Sequence, residues 1–147
     1  DAVNEVKKTR NNVIWIDKML EKHEVIQLYS HADVFCCPSI YEPFGIINIE
    51  AMACNTAVVA SAVGGIKEVV IPGETGILIP LEQQKEAPFE PINPDKFSRD
   101  LAKGINDLIN DDALRNKMAK NGRKRVEDYF DWVAIAKQVE DLYKSLI

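Results

Sequence analysis

The sequence predicts an α/β fold in which a Rossmann-like parallel sheet is layered with helices. Short apolar runs, VIWI, VFCC, AVVAS and ILI, alternate along the chain with segments of helical spacing, the order of a layered α/β domain. Within those runs apolar and polar residues do not alternate, which suits strands of a parallel sheet covered on both faces. Proline, glycine or polar clusters punctuate the runs, as where Pro38 stops VFCC.

Taken in order, residues 2–10 are expected to form a short helix, and a polar turn leads into a strand at Val13–Ile16. In EKHEVIQLYSHA, Val25, Leu28 and Tyr29 recur at helical spacing and Ile26 widens the stripe. Val34–Cys37 is the second strand, Ile46–Cys54 a helix and residues 57–61 the third strand. Paired glycines precede a short helix at Ile66–Val70, and Ile77–Ile79 is the fourth strand. Residues 81–93, polar and proline-containing, form a surface loop and not a domain boundary, because no independent core follows them. Phe97, Leu101, Ile105, Leu108 and Ile109 then mark one helix, and Leu114, Met118 and Val126 mark a second. Trp132, Ile135, Ala136, Val139, Leu142, Tyr143 and Leu146 mark a terminal helix over 131–147. Residues 1–147 are thus expected to be one domain, without an internal repeat.

Composition narrows the function classes. With 46% apolar and 28% charged residues, the chain is globular and not disordered. A net charge of −5 argues against nucleic acid and anionic membrane as partners. No apolar run reaches the roughly 20 residues that span a bilayer, and the first residues lack the apolar stretch of a signal peptide. Cys36, Cys37 and Cys54 match no zinc spacing and read as three buried, reduced thiols of a cytoplasmic protein. The dinucleotide fingerprint, the P-loop and the GxSxG elbow are all absent.

The chemistry concentrates in EPFGIINIE, residues 42–50. Pro38 ends a strand at its carboxyl end, a loop follows, and a helix begins near Gly45. Open α/β sheets bind ligands just outside the carboxyl ends of their strands. A helix start there offers unpaired N–H groups and a partial positive charge, which suit a phosphate or diphosphate. Glu42 and Glu50 flank that start, and a carboxylate accepts hydrogen bonds from a vicinal diol. One carboxylate on a ribose, another on a sugar and phosphates between them would make a nucleotide-sugar site. The competing reading makes Glu42 a complement to the helix dipole and Glu50 a solvated helix residue. Glu50 lies in IINIEAMA, the most apolar helix of the chain, where an unpartnered carboxylate is costly; that favours the functional reading.

The string SIYEPFGIINIEAMACNTAVVASAVGGIKEVVIPGETGILIP resembles the donor-binding region of the retaining glycosyltransferases of the GT-B fold, family 4. The hallmark is two glutamates separated by seven residues, met here by Glu42 and Glu50, and the likeness continues through VVAS, GG, E and G-x-x-G-x-L-x-P. Upstream and downstream segments extend it over most of the chain, the latter toward the bacterial glycogen synthase branch. The resemblance implies the C-terminal, donor-binding half of a GT-B enzyme, with glucose carried from ADP-glucose to an α-glucan or to glucose 1-phosphate. It further implies that Glu42 faces the transferred sugar and Glu50 holds the ribose. The amides of Phe44, Gly45, Ile46 and Ile47 would meet the sugar and diphosphate, and Lys18 and Met19 would border the base. Neither a metal nor another cofactor is implied. The basic pair that grips the diphosphate and the acceptor domain would precede this chain, so the piece alone is expected to be inactive.

Asn55 and Ala57 stand where the family often has Gly and Pro; Asn tolerates the left-handed conformation, so the turn is expected to survive. His31 reads as a helix-end residue, and Gly64–Gly65 as an aid to strand-to-helix packing. Two rivals stay open: another GT-B transferase of mannosyl, sucrose or trehalose type, and a non-catalytic flavodoxin-like binding module. The terminal stripe at 132–146 leads either to self-association or to burial against Phe97, Leu101 and the preceding helices.

Overall fold

The computed structural model describes residues 2–146; Asp1 and Ile147, the two ends of the expected domain, lie outside the described residues. The order is α1 (Ala2–Thr9), α2 (Lys22–His31), β1 (Val34–Cys37), α3 (Ile46–Ala53), β2 (Ala57–Ser61), α4 (Ile66–Val69), β3 (Gly76–Ile79), α5 (Pro94–Asn110), α6 (Asp112–Tyr129) and α7 (Trp132–Ser145). The strands form one parallel sheet in sequential order, with Val34 opposite Ala57 and Val58 opposite Gly76.

β2 is the central strand and is buried at every position. Because successive side chains point to opposite faces, it divides the interior in two. Val58 and Ala60 join Cys37, Met52, Ile66 and Val69 on one side. Ala57 and Val59 join Ile79, Phe97, Leu108 and Met118 on the other. This is why AVVAS carries no polar residue until Ser61. Each fully buried Val, Ile, Leu or Met in these layers contributes about 1.5–3 kcal/mol of transfer free energy.

The two longest helices start on side-chain caps. Asn93 accepts from the Lys96 N–H at 2.9 Å, ahead of Pro94 at the first turn of α5, and Asp111 accepts from the Leu114 N–H at 2.8 Å. Among the described residues no helix is long and apolar enough to cross a membrane.

The structure corrects several expectations. Val13–Ile16 is not a strand, and Ile14 is 88% exposed. A strand exists only through its ladder, and among the described residues VIWI pairs with no strand: the outer edge of β1 stays open, and β1 bonds β2 alone. All three cysteines are free as expected, yet only Cys37 is buried; Cys36 and Cys54 are partly exposed. The terminal helix forms as expected, but the stripe is not buried. α7 has no buried residue, and Trp132 is 84% exposed.

Candidate functional site

The loop from Pro38 to Gly45 leaves the carboxyl end of β1 and delivers the chain to α3. It is held almost residue by residue. The Ser61 hydroxyl donates to the Ser39 carbonyl. The Gln83 amide donates to the Ile40 carbonyl at 2.5 Å. Tyr41 stacks on Phe89 with ring centroids 6.2 Å apart. The Gly65 N–H donates to the Glu42 carbonyl at 3.1 Å, and Phe44 meets the Phe130 ring edge-on at 6.2 Å.

The paired glycines explain how so exposed a loop sits so close to the sheet. A Cβ on Gly64, which has φ +45°, would lie 1.9 Å from the Glu42 carbonyl oxygen; one on Gly65 would lie 2.5 Å from the Phe44 Cα. The pair therefore serves the glutamate-bearing loop, a more specific role than the strand-to-helix packing expected from sequence.

Gly45 caps α3 in a left-handed conformation, φ 102°, which glycine adopts without steric cost. The Gly45 N–H donates to Glu42 Oε1 at 3.1 Å. One of the amides assigned to the ligand is thus satisfied by Glu42, and the carboxylate lies against the positive end of the helix. The amides of Ile46 and Ile47 stand in the first turn, where a helix supplies no acceptor of its own. Asn48, fully buried, braces this turn through its Nδ2, which donates to the Gly45 carbonyl at 3.4 Å.

α3 buries Asn48, Ala51 and Met52 and leaves Ile46, Ile47 and Glu50 exposed. Spacings of three and four place the latter three on one face. The expectation that Glu50 is a costly carboxylate in apolar surroundings is therefore corrected: the most apolar helix has one open side, and Glu50 is on it. Among the described residues the Glu50 carboxylate meets the Tyr29 hydroxyl, which donates to Oε2 at 3.5 Å. Burial and the Glu50 charge together push the Tyr29 phenol up to about 12. Tyr29 also meets Phe35 edge-on at 5.2 Å and accepts at its carbonyl from the Thr56 hydroxyl at 2.6 Å, so it ties α2 to β1 and to the turn after α3.

Glu42, Phe44, Gly45, Ile46 and Ile47 thus come together at the start of α3, and Glu50 lies one turn further along its exposed face. Met19 is 96% exposed, and Lys18 beside it pairs with Glu24 of α2 at 3.5 Å. Lys18 and Leu20 line an open groove of about 720 Å³ with Gln27 and His31. His31 ends α2, its Nδ1 2.8 Å from the Gln27 carbonyl, which fits the helix-end reading. Asn55 takes φ +63°, the left-handed turn expected of it. Among the described residues no group of three or more His, Cys, Asp or Glu side chains is placed to hold a metal. Sequence reasoning missed Tyr29, Gln83 and Phe89. Each reaches the site across at least 21 residues of chain, a distance no local spacing encodes.

Residues 4–90 match the family model described as glycosyl transferases group 1. The chain is 39% identical over 145 residues to the alpha-maltose-1-phosphate synthase of Mycolicibacterium smegmatis, covering 99% of this chain and 35% of that protein. It superposes on the sucrose-phosphate synthase of Thermosynechococcus elongatus with a TM-score of 0.77 and 38% identity, over 99% of this chain and 33% of that one. It also matches Anabaena HepE, solved in complex with UDP and glucose, with a TM-score of 0.64 and 31% identity, over 84% of this chain and 30% of that one. The chain spans about a third of the length of the curated relatives it matches. Its parallel sheet and covering helices form the Rossmann-like unit of a GT-B fold, and the chain belongs to the glycosyl transferases group 1 family.

Proposed function

We propose that this chain is the donor-nucleotide half of a retaining hexosyltransferase that carries glucose from ADP-glucose to an α-glucan or to glucose 1-phosphate. The observation that carries the reading is the open amino-terminal face of α3, with Glu42 at its start and Glu50 on the same exposed side. The diphosphate sits on the Ile46 and Ile47 amides, and the partial positive charge of the helix start meets it. Glu50, free to solvent except for Tyr29, accepts from the ribose diol. Glu42, at the mouth of the loop, accepts from hydroxyls of the transferred sugar.

In the transfer, the bond from the anomeric carbon to the diphosphate oxygen breaks, and the electron pair leaves with the nucleotide. The acceptor hydroxyl oxygen bonds that carbon on the same face, and its proton passes to the departing phosphate oxygen. Charge growing on the phosphate is stabilised by N–H groups fixed before the reaction begins. The acceptor domain and the basic pair that grips the diphosphate come from other parts of the full-length protein. Glucose 1-phosphate as acceptor is supported by the likeness to a maltose-1-phosphate synthase. A second reading, a sucrose-type transferase, is supported by the likeness to a sucrose-phosphate synthase.

Calorimetric titration of the full-length protein with ADP-glucose, UDP-glucose and GDP-mannose, followed by transfer assays with glycogen, glucose 1-phosphate and fructose 6-phosphate, separates these readings. ADP-glucose should bind most tightly and be consumed with glycogen or glucose 1-phosphate. Preference for UDP-glucose with fructose 6-phosphate would favour the sucrose-type reading, and binding of no sugar nucleotide would remove both.

A further inference from the structure

We infer that Gln83 and Phe89, in the loop after β3, are positioning residues for the Glu42 loop; the inference rests on the role proposed above for Glu42. Both amide hydrogens of Gln83 are committed. Nε2 donates to the Ile40 carbonyl at 2.5 Å, two residues before Glu42, and to the Phe89 carbonyl at 2.8 Å. One side chain thereby joins the Glu42 loop to its own loop, which is closed on itself by Gln84 N–H to Glu90 O at 3.0 Å and Ile92 N–H to Glu82 O at 2.9 Å.

Phe89 makes the second link. Its ring lies nearly parallel to that of Tyr41, the neighbour of Glu42, at an interplanar angle of 17°. Its backbone has φ +62°, a region that a bulky side chain occupies only when surrounding contacts hold it there. The contacts that hold it are its own N–H on the Glu86 carbonyl at 2.9 Å, the Gln83 amide on its carbonyl and the Tyr41 ring. The chain thus keeps an unfavourable backbone geometry at a residue that stacks on the glutamate loop.

Gly65 fixes the Glu42 carbonyl of the same loop. Gln83 and Phe89 supply a second hold at Ile40 and Tyr41. With that hold removed, the Ile40–Tyr41 stretch is left between the Ser61 contact at Ser39 and the Gly65 contact at Glu42, and Glu42 shifts from its place at the start of α3. The Ile46 and Ile47 amides, which belong to the helix, stay where they are. Loss of Gln83 or Phe89 therefore acts on turnover and spares the grip on the nucleotide.

The test compares Gln83→Met, Phe89→Ala, Phe89→Tyr and Glu42→Gln in the full-length protein, using whichever of ADP-, UDP- or GDP-glucose it turns over fastest. Gln83→Met keeps length and removes both donors. It should lower kcat by about tenfold or more, the scale of a misplaced catalytic group, with the Kd of the free nucleoside diphosphate and the unfolding temperature little changed. Phe89→Ala should do the same, and Phe89→Tyr should restore kcat. An unaltered kcat in Gln83→Met and Phe89→Ala, beside a strong loss in Glu42→Gln, overturns the positioning role alone. Parallel loss of kcat, nucleotide affinity and thermal stability also overturns it, because the loop then serves only folding. If Glu42→Gln keeps full activity, or no sugar nucleotide is turned over, the reading of Glu42 fails and takes this inference with it.

Discussion

The Gly65 N–H donates to the Glu42 carbonyl at 3.1 Å, and neither Gly65 nor Gly64 has room for a Cβ beside that loop. Two glycines at the end of a buried strand therefore set the depth of the catalytic carboxylate proposed here. Gly65→Ala should push the loop outward, since its Cβ would fall 2.5 Å from backbone and not from a yielding side chain. A loss of about 1–3 kcal/mol, the usual cost of overpacking, is expected in chemical unfolding, together with a large fall in turnover. An alanine variant of unchanged stability and activity would show the contact to be slack.

Glu50 and Glu42 should separate in binding and turnover. Glu50→Ala should weaken ADP binding to the full-length protein by about 1.5–3 kcal/mol, the scale of hydrogen bonds to a charged group. Because Glu50 is exposed, fold stability should barely move. Glu42→Ala should lower turnover more than affinity. Calorimetry beside initial-rate kinetics reads both, and an ADP affinity that survives Glu50→Ala would remove the ribose assignment.

The Tyr29 phenol gives a pH signature. Its pKa rises from the ordinary 10.0 to about 12, first through burial and then through the Glu50 charge. A raised folded-state pKa favours the neutral phenol. The resulting stabilisation is complete below pH 10 and is lost as pH climbs through about 12. Glu50→Gln should bring the Tyr29 titration down only part of the way, since burial remains. Ultraviolet absorbance of tyrosinate, with Tyr29→Phe as the reference, checks the order; no change on Glu50→Gln would mean that the 3.5 Å contact carries no charge coupling.

α7 should be dispensable for the core. It buries no residue, so a chain ending at Asp131 should unfold at nearly the same temperature as the chain of 147 residues. Sedimentation of the two also tests the self-association expected from the exposed stripe at 132–146: concentration dependence should be present in the longer chain and absent in the shorter. A large loss of stability on truncation would show that α7 supports α6 more than its exposure indicates.

The sequence was readable where one physical requirement dominated. β2 had to be apolar from Ala57 to Ala60 because both faces are covered, and its limits at residues 57–61 match the expected strand. VIWI misled because an apolar run reports the wish to be buried and not the presence of a pairing partner. Glu50 misled because the mean apolarity of α3 hides an open side, visible only when Ile46, Ile47 and Glu50 are read as one face. At the site, the helix start at Gly45 was legible from the sequence, and the paired glycines were noticed, but their service to the Glu42 loop was not read. Tyr29, Gln83 and Phe89 were not legible, since tertiary packing alone brings them to Glu50, Ile40 and Tyr41.

The central claim is that a sugar-nucleotide diphosphate rests on the first turn of α3 between the two glutamates. Amide hydrogen exchange of the full-length protein, with and without saturating ADP, measures this most directly. Slowed exchange at Ile46 and Ile47, extending to the Glu42 loop when ADP-glucose replaces ADP, is the expected result. Saturation by ADP with exchange at Ile46 and Ile47 unchanged, and protection confined to another part of the protein, would contradict it.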